Sequence, residues 1–234
     1  KEFLEYKEVY GLVVMDRREA TIGILKGPRI ELLTDATSGV PGKFKAGGQS
    51  AMRFHRLIEG MALQFYKKIA LLCNQEFLPL IKEMKGIIIG GPGHSKNEFI
   101  EELNQQLKDK IIAVQDITYT DESGLHHLVE KSKDVLAKEA ITEEKELMNR
   151  FLTLLAKEPG KAVYGEDNVK EAINMGAVEL VLLSEKLSDE KIDEFEDLAA
   201  KYGAEVKLIS VETREGVQLK DLKGIAAILR YQIK

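Results

Sequence analysis

From Ser50 onward, Ala51, Phe54, Ile58, Met61, Phe65, Ile69 and Leu72 recur every three or four positions, the spacing of one face of a helix. Nothing interrupts the pattern before Pro79 and Gly86, so the sequence predicts one rod of about 25–30 residues, long for a globular domain. Gly60 falls inside the rod and weakens it by about 1 kcal/mol relative to alanine. A rod with one apolar face must be laid against a partner layer, and the residues before it supply one. Tyr10–Asp16, Ala20–Leu25 and Arg29–Leu33 alternate as strands do and read as a β-meander. Between meander and rod, Thr34 to Gln49 contains four glycines and a proline with no apolar period, which predicts an exposed loop.

After the rod, strands and helices alternate. Gly86–Ile89 reads as a buried strand, followed by the turn Gly90-Gly91-Pro92-Gly93 and a helix opened by Ser95, with Glu98 completing a capping box. Lys110–Tyr119 reads as a strand and Leu125–Leu136 as a helix. A helix from about Thr142 to Leu155 then carries the stripe Leu147, Phe151, Leu154 and Leu155. Strands follow at Ala162–Tyr164, Glu179–Leu183, Glu205–Val211 and Ala226–Tyr231, with helices at Asp167–Met175 and Ser188–Tyr202. The fold class is therefore α/β. At about 100–150 residues per domain the length of 234 favours two domains, 1–137 and 138–234.

Composition narrows the function classes. With 44% hydrophobic and 31% charged residues the chain can build a core, which excludes disorder as its main state. No apolar run approaches the roughly 20 residues of a membrane span, and Lys1-Glu2-Phe3-Leu4-Glu5 lacks the pattern of a signal peptide; a cytoplasmic chain without a membrane partner is expected. The absence of an initiator Met suggests a fragment or a processed start. Cys73 is the only cysteine and lies among apolar residues, as a buried inert thiol does. The net charge of −5 belongs to the second half: residues 1–137 carry 19 basic and 19 acidic side chains, and 138–234 carry 15 and 20. Within the neutral half, Ala36 to Ile58 holds Lys43, Lys45, Arg53 and Arg56 and no carboxylate, a patch suited to a phosphate-rich partner.

Few residues form a recognisable reaction centre. Gly90-Gly91-Pro92-Gly93-His94-Ser95-Lys96 follows a strand and precedes a helix, but its lysine lacks the preceding Gly and following Ser or Thr of a phosphate loop, so it reads as a tight turn. His55, His94, His126 and His127 show no metal-ligand spacing and read as surface residues, and no metal or cofactor is expected. Glu101-Glu102 and Glu143-Glu144 read as exposed helix charge. Gly47-Gly48-Gln49 remains, at the end of the loop. A glutamine amide does not titrate near neutrality and cannot act as a general base. Two glycines let the chain enter a narrow space, and a main-chain N–H with the amide can orient water or a leaving oxygen. By itself the triplet also fits an ordinary flexible entry to a helix.

Gly47-Gly48-Gln49-Ser50-Ala51, followed by Arg53-Phe54 and Arg56-Leu57 and preceded by the basic loop, resembles class 1 peptide chain release factors of the eukaryotic and archaeal type, most closely the archaeal branch. The resemblance continues through Tyr164-Gly165-Glu166-Asp167-Asn168, Met175-Gly176-Ala177-Val178-Glu179, Gly224-Ile225 and Ile228-Leu229-Arg230-Tyr231. It implies a middle domain with an exposed Gly-Gly-Gln loop and a C-terminal α/β domain resembling a kink-turn-binding ribosomal protein. It further implies that Gly47, Gly48 and Gln49 enter the ribosomal peptidyl-transferase centre and promote hydrolysis of peptidyl-tRNA, while Lys43, Lys45, Arg53 and Arg56 face ribosomal or transfer RNA. The implied partners are the ribosome, peptidyl-tRNA, a translational GTPase of elongation-factor type and an ABC-class recycling ATPase.

Family members begin with a stop-codon-reading domain, and this chain starts where that domain ends, so decoding is expected to be absent. Leu183-Ser184 runs almost directly into the helix from Ser188, so the small, in places zinc-binding, insertion of some members is not expected. Without a base or a substrate cleft the chain is not expected to be a stand-alone enzyme. The alternatives are a ribosome rescue or surveillance factor, whose family relatives lack Gly-Gly-Gln, and a plain RNA- or protein-docking module.

Overall fold

The computed structural model describes residues 9–40 and 49–233, with side chains from 52 onward in the second span. It comprises two compact units, Lys1–Val135 and Leu136–Lys234.

In the first unit, β1 (Val9–Met15), β2 (Glu19–Lys26) and β3 (Arg29–Thr37) pair antiparallel in succession. β4 (Met84–Gly91) and β5 (Ile111–Asp116) then join in parallel on the other side of β1, giving the order β3-β2-β1-β4-β5. The meander and the strands after the rod therefore share one sheet, with β1 at the joint. That position explains why all seven residues of β1 are buried and why its sequence is a nearly unbroken apolar run.

The rod is α1 (Gln49–Phe77), 29 residues long. Ala62, Phe65, Tyr66, Ile69, Ala70, Cys73 and Phe77 line its inner face and pack on Val13, Met15, Ile22, Ile24, Ile87 and Ile89. α2 (Ser95–Glu102) and α3 (Gln105–Lys108) add Phe99 and Leu107 to the same core. α4 (Glu122–Lys131) covers the opposite face, where Gly124 comes close to Val14, the neighbour of inward-facing Val13. From Met52 to Leu57 no side chain of α1 is buried, and Ile58 is the first to pack at the margin of the core. Ile58 lies nine residues after Gln49, about 13 Å along the helix axis at 1.5 Å per residue.

In the second unit, β6 (Ala162–Tyr164), β7 (Val178–Ser184), β8 (Glu205–Ile209) and β9 (Ile225–Leu229) form a sheet in the order β6-β9-β7-β8. Only the β7–β8 pair is parallel. The helices of this unit are the later part of α5 (Lys133–Lys157), with α6 (Glu166–Asn174), α7 (Asp189–Lys201) and α8 (Arg214–Asp221). Met148 and Phe151 of α5 and Leu219 of α8 meet Leu180, Leu182, Ile209 and Ile228 in the core.

Several local expectations are corrected. β3 runs on to Thr37, which pairs with Glu19, and Ala36 and Val40 are buried against the core, so the exposed loop does not begin at Thr34. Ser95 is not a cap: it is the first helical residue, and His94 precedes it without a side-chain cap bond. The helix read as Leu125–Leu136 breaks at Ser132, whose N–H bonds Leu128 and Val129 carbonyls in a tightened last turn. α5 then starts at Lys133, nine residues earlier than expected, because Ala137 to Ile141 contains neither glycine nor proline to stop it. α8 was not anticipated.

Candidate functional site

Gln49 is the first helical residue of α1. Its backbone N–H is therefore among the four at a helix start that have no partner within the helix. Gly47, Gly48, Lys43 and Lys45, and with them most of the exposed loop, lie outside the described residues. The chain leaves the sheet after Thr37 and enters the helix at Gln49, and no side chain from Met52 to Leu57 is buried.

Arg53 and Arg56 are both exposed on the first two turns of α1. The first turn carries no acidic residue, although carboxylates are favoured there by the helix dipole. The partial positive charge of the helix start, the two guanidinium groups and the carboxylate-free sequence around them act together, making this end of the rod electropositive. His55 is the one histidine on this rod; it lies 3.2 Å from Glu59 on the exposed surface. Six residues beyond Gln49, it sits about 9 Å along the helix and about 120° around it, so it is not placed to serve as a base beside Gln49.

The other singled-out residues are structural. Lys96 is buried and donates to the Gly91 carbonyl at 3.1 Å, the Gly93 carbonyl at 2.5 Å and Asp116 Oδ1 at 2.5 Å. Its ammonium holds its own turn and is not offered to a phosphate. Cys73 is fully buried, and desolvation, with Glu76 nearby, pushes its thiol far above the ordinary range, which keeps it unreactive. His94, His126 and His127 are exposed, and the described residues contain no cluster able to hold a metal. Glu143 and Glu144 are not free helix charge: Glu143 lies 3.1 Å from Lys207, and Glu144 accepts from the Ser210 N–H at 2.9 Å, tying α5 to the end of β8. Their partners lie more than sixty positions away in sequence, which is why the pairing was not legible.

In the second unit, Tyr164, Gly165, Glu166, Asp167, Asn168 and Lys223 line an open cleft of about 520 Å³. Glu166 is engaged by Lys191 at 2.5 Å and Lys170 at 3.0 Å, and these bonds lower its carboxyl below the usual range. Lys170 also reaches Glu194 at 2.6 Å. This network fixes the start of α6 to α7.

Residues 9–138 match the family model of eRF1 domain 2, and residues 141–233 match that of eRF1 domain 3. The chain belongs to the eRF1 family. Among its relatives, peptide chain release factor subunit 1 of Methanosphaera stadtmanae is 41% identical over 279 residues, covering 100% of this chain and 68% of that protein. Its counterpart in Archaeoglobus fulgidus is 42% identical over 276 residues, covering 99% and 68%. An alignment of 279 residues against a chain of 234 leaves at least 45 residues of the Methanosphaera protein without a counterpart in this eRF1-family chain. Here Ser184 at the end of β7 is joined to Asp189 of α7 by four residues only. Among solved structures, a model of ribosome-bound archaeal Pelota and ABCE1 shares the fold with a TM-score of 0.68 at 24% identity. It matches 96% of this chain, which spans 62% of that structure's length. No helix among the described residues is long and apolar enough to cross a membrane.

Proposed function

We propose that this chain comprises the middle and C-terminal domains of a peptide chain release factor, and that Gly47-Gly48-Gln49 promotes hydrolysis of peptidyl-tRNA in the ribosomal peptidyl-transferase centre. The observation that carries the reading is the position of Gln49, at the first turn of a 29-residue rod whose first two turns carry exposed Arg53 and Arg56 and no carboxylate. A reach of this kind delivers a short segment into a narrow, anionic site. Gly47 and Gly48 let the backbone approach the ester. The Gln49 N–H, which has no partner within the helix, donates to the oxygen that gains charge, and the Gln49 amide restricts where water sits. Water adds to the ester carbonyl, the bond to the tRNA ribose oxygen breaks, and that oxygen takes the proton, giving a free peptide acid and a tRNA hydroxyl. Ribosomal RNA and the tRNA complete the reaction environment, so the chain alone is not an enzyme.

Lys43, Lys45, Arg53 and Arg56 are the RNA-facing residues in this account. The partners are the ribosome, peptidyl-tRNA, a translational GTPase of elongation-factor type and an ABC-class ATPase, in the cytoplasm. Similarity to peptide chain release factors, and the fold shared with a ribosome-bound Pelota and ABCE1 model, support the ribosome and the ABC-class ATPase among them. A ribosome rescue factor is the second reading, favoured by that same fold, and Gly-Gly-Gln argues against it.

The test is stop-codon-dependent peptide release on archaeal ribosomes by the protein carrying its decoding domain, as wild type and as Gly48→Ala. Release lost only in the variant, with ribosome binding retained, is the expected result. Equal release from both would remove the loop from the chemistry. Rapid cleavage of peptidyl-tRNA by the chain without ribosomes would overturn the shared-site mechanism.

A further inference from the structure

The outer face of α1 continues well past Arg56. Positions 53, 56, 60, 64, 67 and 71 follow one another at intervals of three and four and form a row along the solvent side of the rod. All six residues, Arg53, Arg56, Gly60, Gln64, Lys67 and Leu71, are exposed, and Lys68 lies exposed beside Lys67. No carboxylate belongs to the row. Glu59 flanks it and is turned to His55 at 3.2 Å. Glu102 of α2 approaches Lys67 only to 4.0 Å, leaving the Lys67 side chain more than half exposed. Among the described residues, no carboxylate pairs with Arg53, Arg56 or Lys68.

Gly60 adds a second and independent observation. A methyl group at this position would meet nothing within 4 Å among the described residues, so no packing among them requires glycine in the middle of a long helix. Glycine there weakens the rod and leaves a bare patch of backbone between two pairs of cations. Bare backbone between cations suits close passage of a polyanion, because side-chain bulk at that point would hold the phosphates away from their partners.

We propose that the RNA-binding surface extends along α1 from Arg53 to Lys68, and that an RNA backbone crosses the rod against Gly60. Arg53 and Arg56 take phosphates on one side of the crossing and Lys67 and Lys68 on the other, about 21 Å apart along the axis from Arg53 to Lys67. This rests on the RNA-facing reading of Arg53 and Arg56 given above.

The test is binding of the chain to an RNA duplex of about 20 base pairs, with affinity followed between 50 and 200 mM salt and thermal midpoints measured in parallel. The double variant Lys67→Gln/Lys68→Gln should lower the slope of log affinity against log salt by about one to two, as expected for two lost phosphate contacts. Gly60→Leu should weaken binding about tenfold while keeping or raising the thermal midpoint, a combination that a purely structural glycine would not give. Wild-type affinity in both variants, with binding lost in Arg53→Gln/Arg56→Gln, overturns this extension and keeps the RNA-facing reading of the two arginines. No salt-dependent binding by the wild type overturns both. Binding lowered by Leu57→Ser/Leu71→Ser, with normal binding in the lysine variants, would mark an apolar docking face and overturn the RNA assignment.

Discussion

Lys96 Nζ lies 2.5 Å from Asp116 Oδ1, so a buried ammonium at the start of α2 is paired with a carboxylate that is 81% exposed at the end of β5. The same ammonium also bonds the Gly91 and Gly93 carbonyls. A turn whose glycines and lysine suggest phosphate recognition is thus held shut by its own lysine, and the parallel strands β4 and β5 are clipped together at their carboxyl ends. Lys96→Ala should cost about 2–3 kcal/mol, because two turn carbonyls lose their donor and the buried stem leaves a gap. Urea unfolding would measure it, and a midpoint equal to wild type would show that water replaces the ammonium without loss.

Asp116 supplies a pH signature of the same clip. The hydrogen bond from Lys96, reinforced by its charge, holds the Asp116 carboxyl below the usual carboxylate range. A depressed folded-state pKa contributes stability that is present above the unfolded value of about 3.9 and is lost as pH falls through the folded value. Asp116→Asn should therefore reduce the loss of stability on acidification below about pH 4 while changing little in the shape of the profile from pH 6 to 8. Stability profiles of the two proteins from pH 2 to 8 would show this; identical acid limbs would mean that Lys96 does not hold the carboxyl below its unfolded value.

Gly91 marks the tightest crossing near that clip. A Cβ there would overlap the Met15 carbonyl oxygen, a backbone atom at the end of β1, so relief requires moving a central strand. Gly91→Ala should destabilise the first unit by about 3 kcal/mol or more. Gly86→Ala is the comparison: the nearest atoms its Cβ would meet belong to the half-buried Ile112 side chain and not to backbone, so a smaller cost is expected. Equal costs in denaturant melts would refute the distinction between backbone and side-chain obstruction.

Periodicity made the rod legible because Phe65, Ile69 and their neighbours keep a strict three-and-four spacing over most of its 29 residues. The alternating strands were legible for the same reason. That the meander and the later strands form one sheet was not, since the parallel pairing of Val13 with Ile89 joins residues 76 positions apart and leaves no local mark. At the candidate site, Gly-Gly-Gln and the missing carboxylates were visible in the letters, while the lack of burial from Met52 to Leu57 and the open space beside Gly60 among the described residues needed coordinates. The roles of Lys96 and Glu144 depended on distant partners, Asp116 and Ser210. α8 was missed because its eight residues offer little apolar periodicity beyond Leu219, and its start depends on a cap within the run Val211 to Arg214.

That cap is Thr213, whose Oγ1 accepts the Gly216 N–H at 3.0 Å. Both residues are buried, and a Cβ on Gly216 would overlap the Ser210 carbonyl oxygen, so the first turn of α8 is pressed directly onto the exit of β8. Water has little room to replace the hydroxyl. Thr213→Val keeps the shape of the side chain and removes the acceptor, so it isolates the hydrogen bond from the packing. It should cost about 1–2 kcal/mol, the upper part of the usual range for a lost cap, and Thr213→Ser should recover most of it. The effect should also be local. Amide exchange at Gly216 should accelerate in Thr213→Val more than at Leu182 of β7, because the first turn frays before the sheet opens. Uniform acceleration would mean that α8 does not open separately from the rest of the second unit, and an unchanged Gly216 rate would mean that its burial against Ser210, not the threonine, holds the turn.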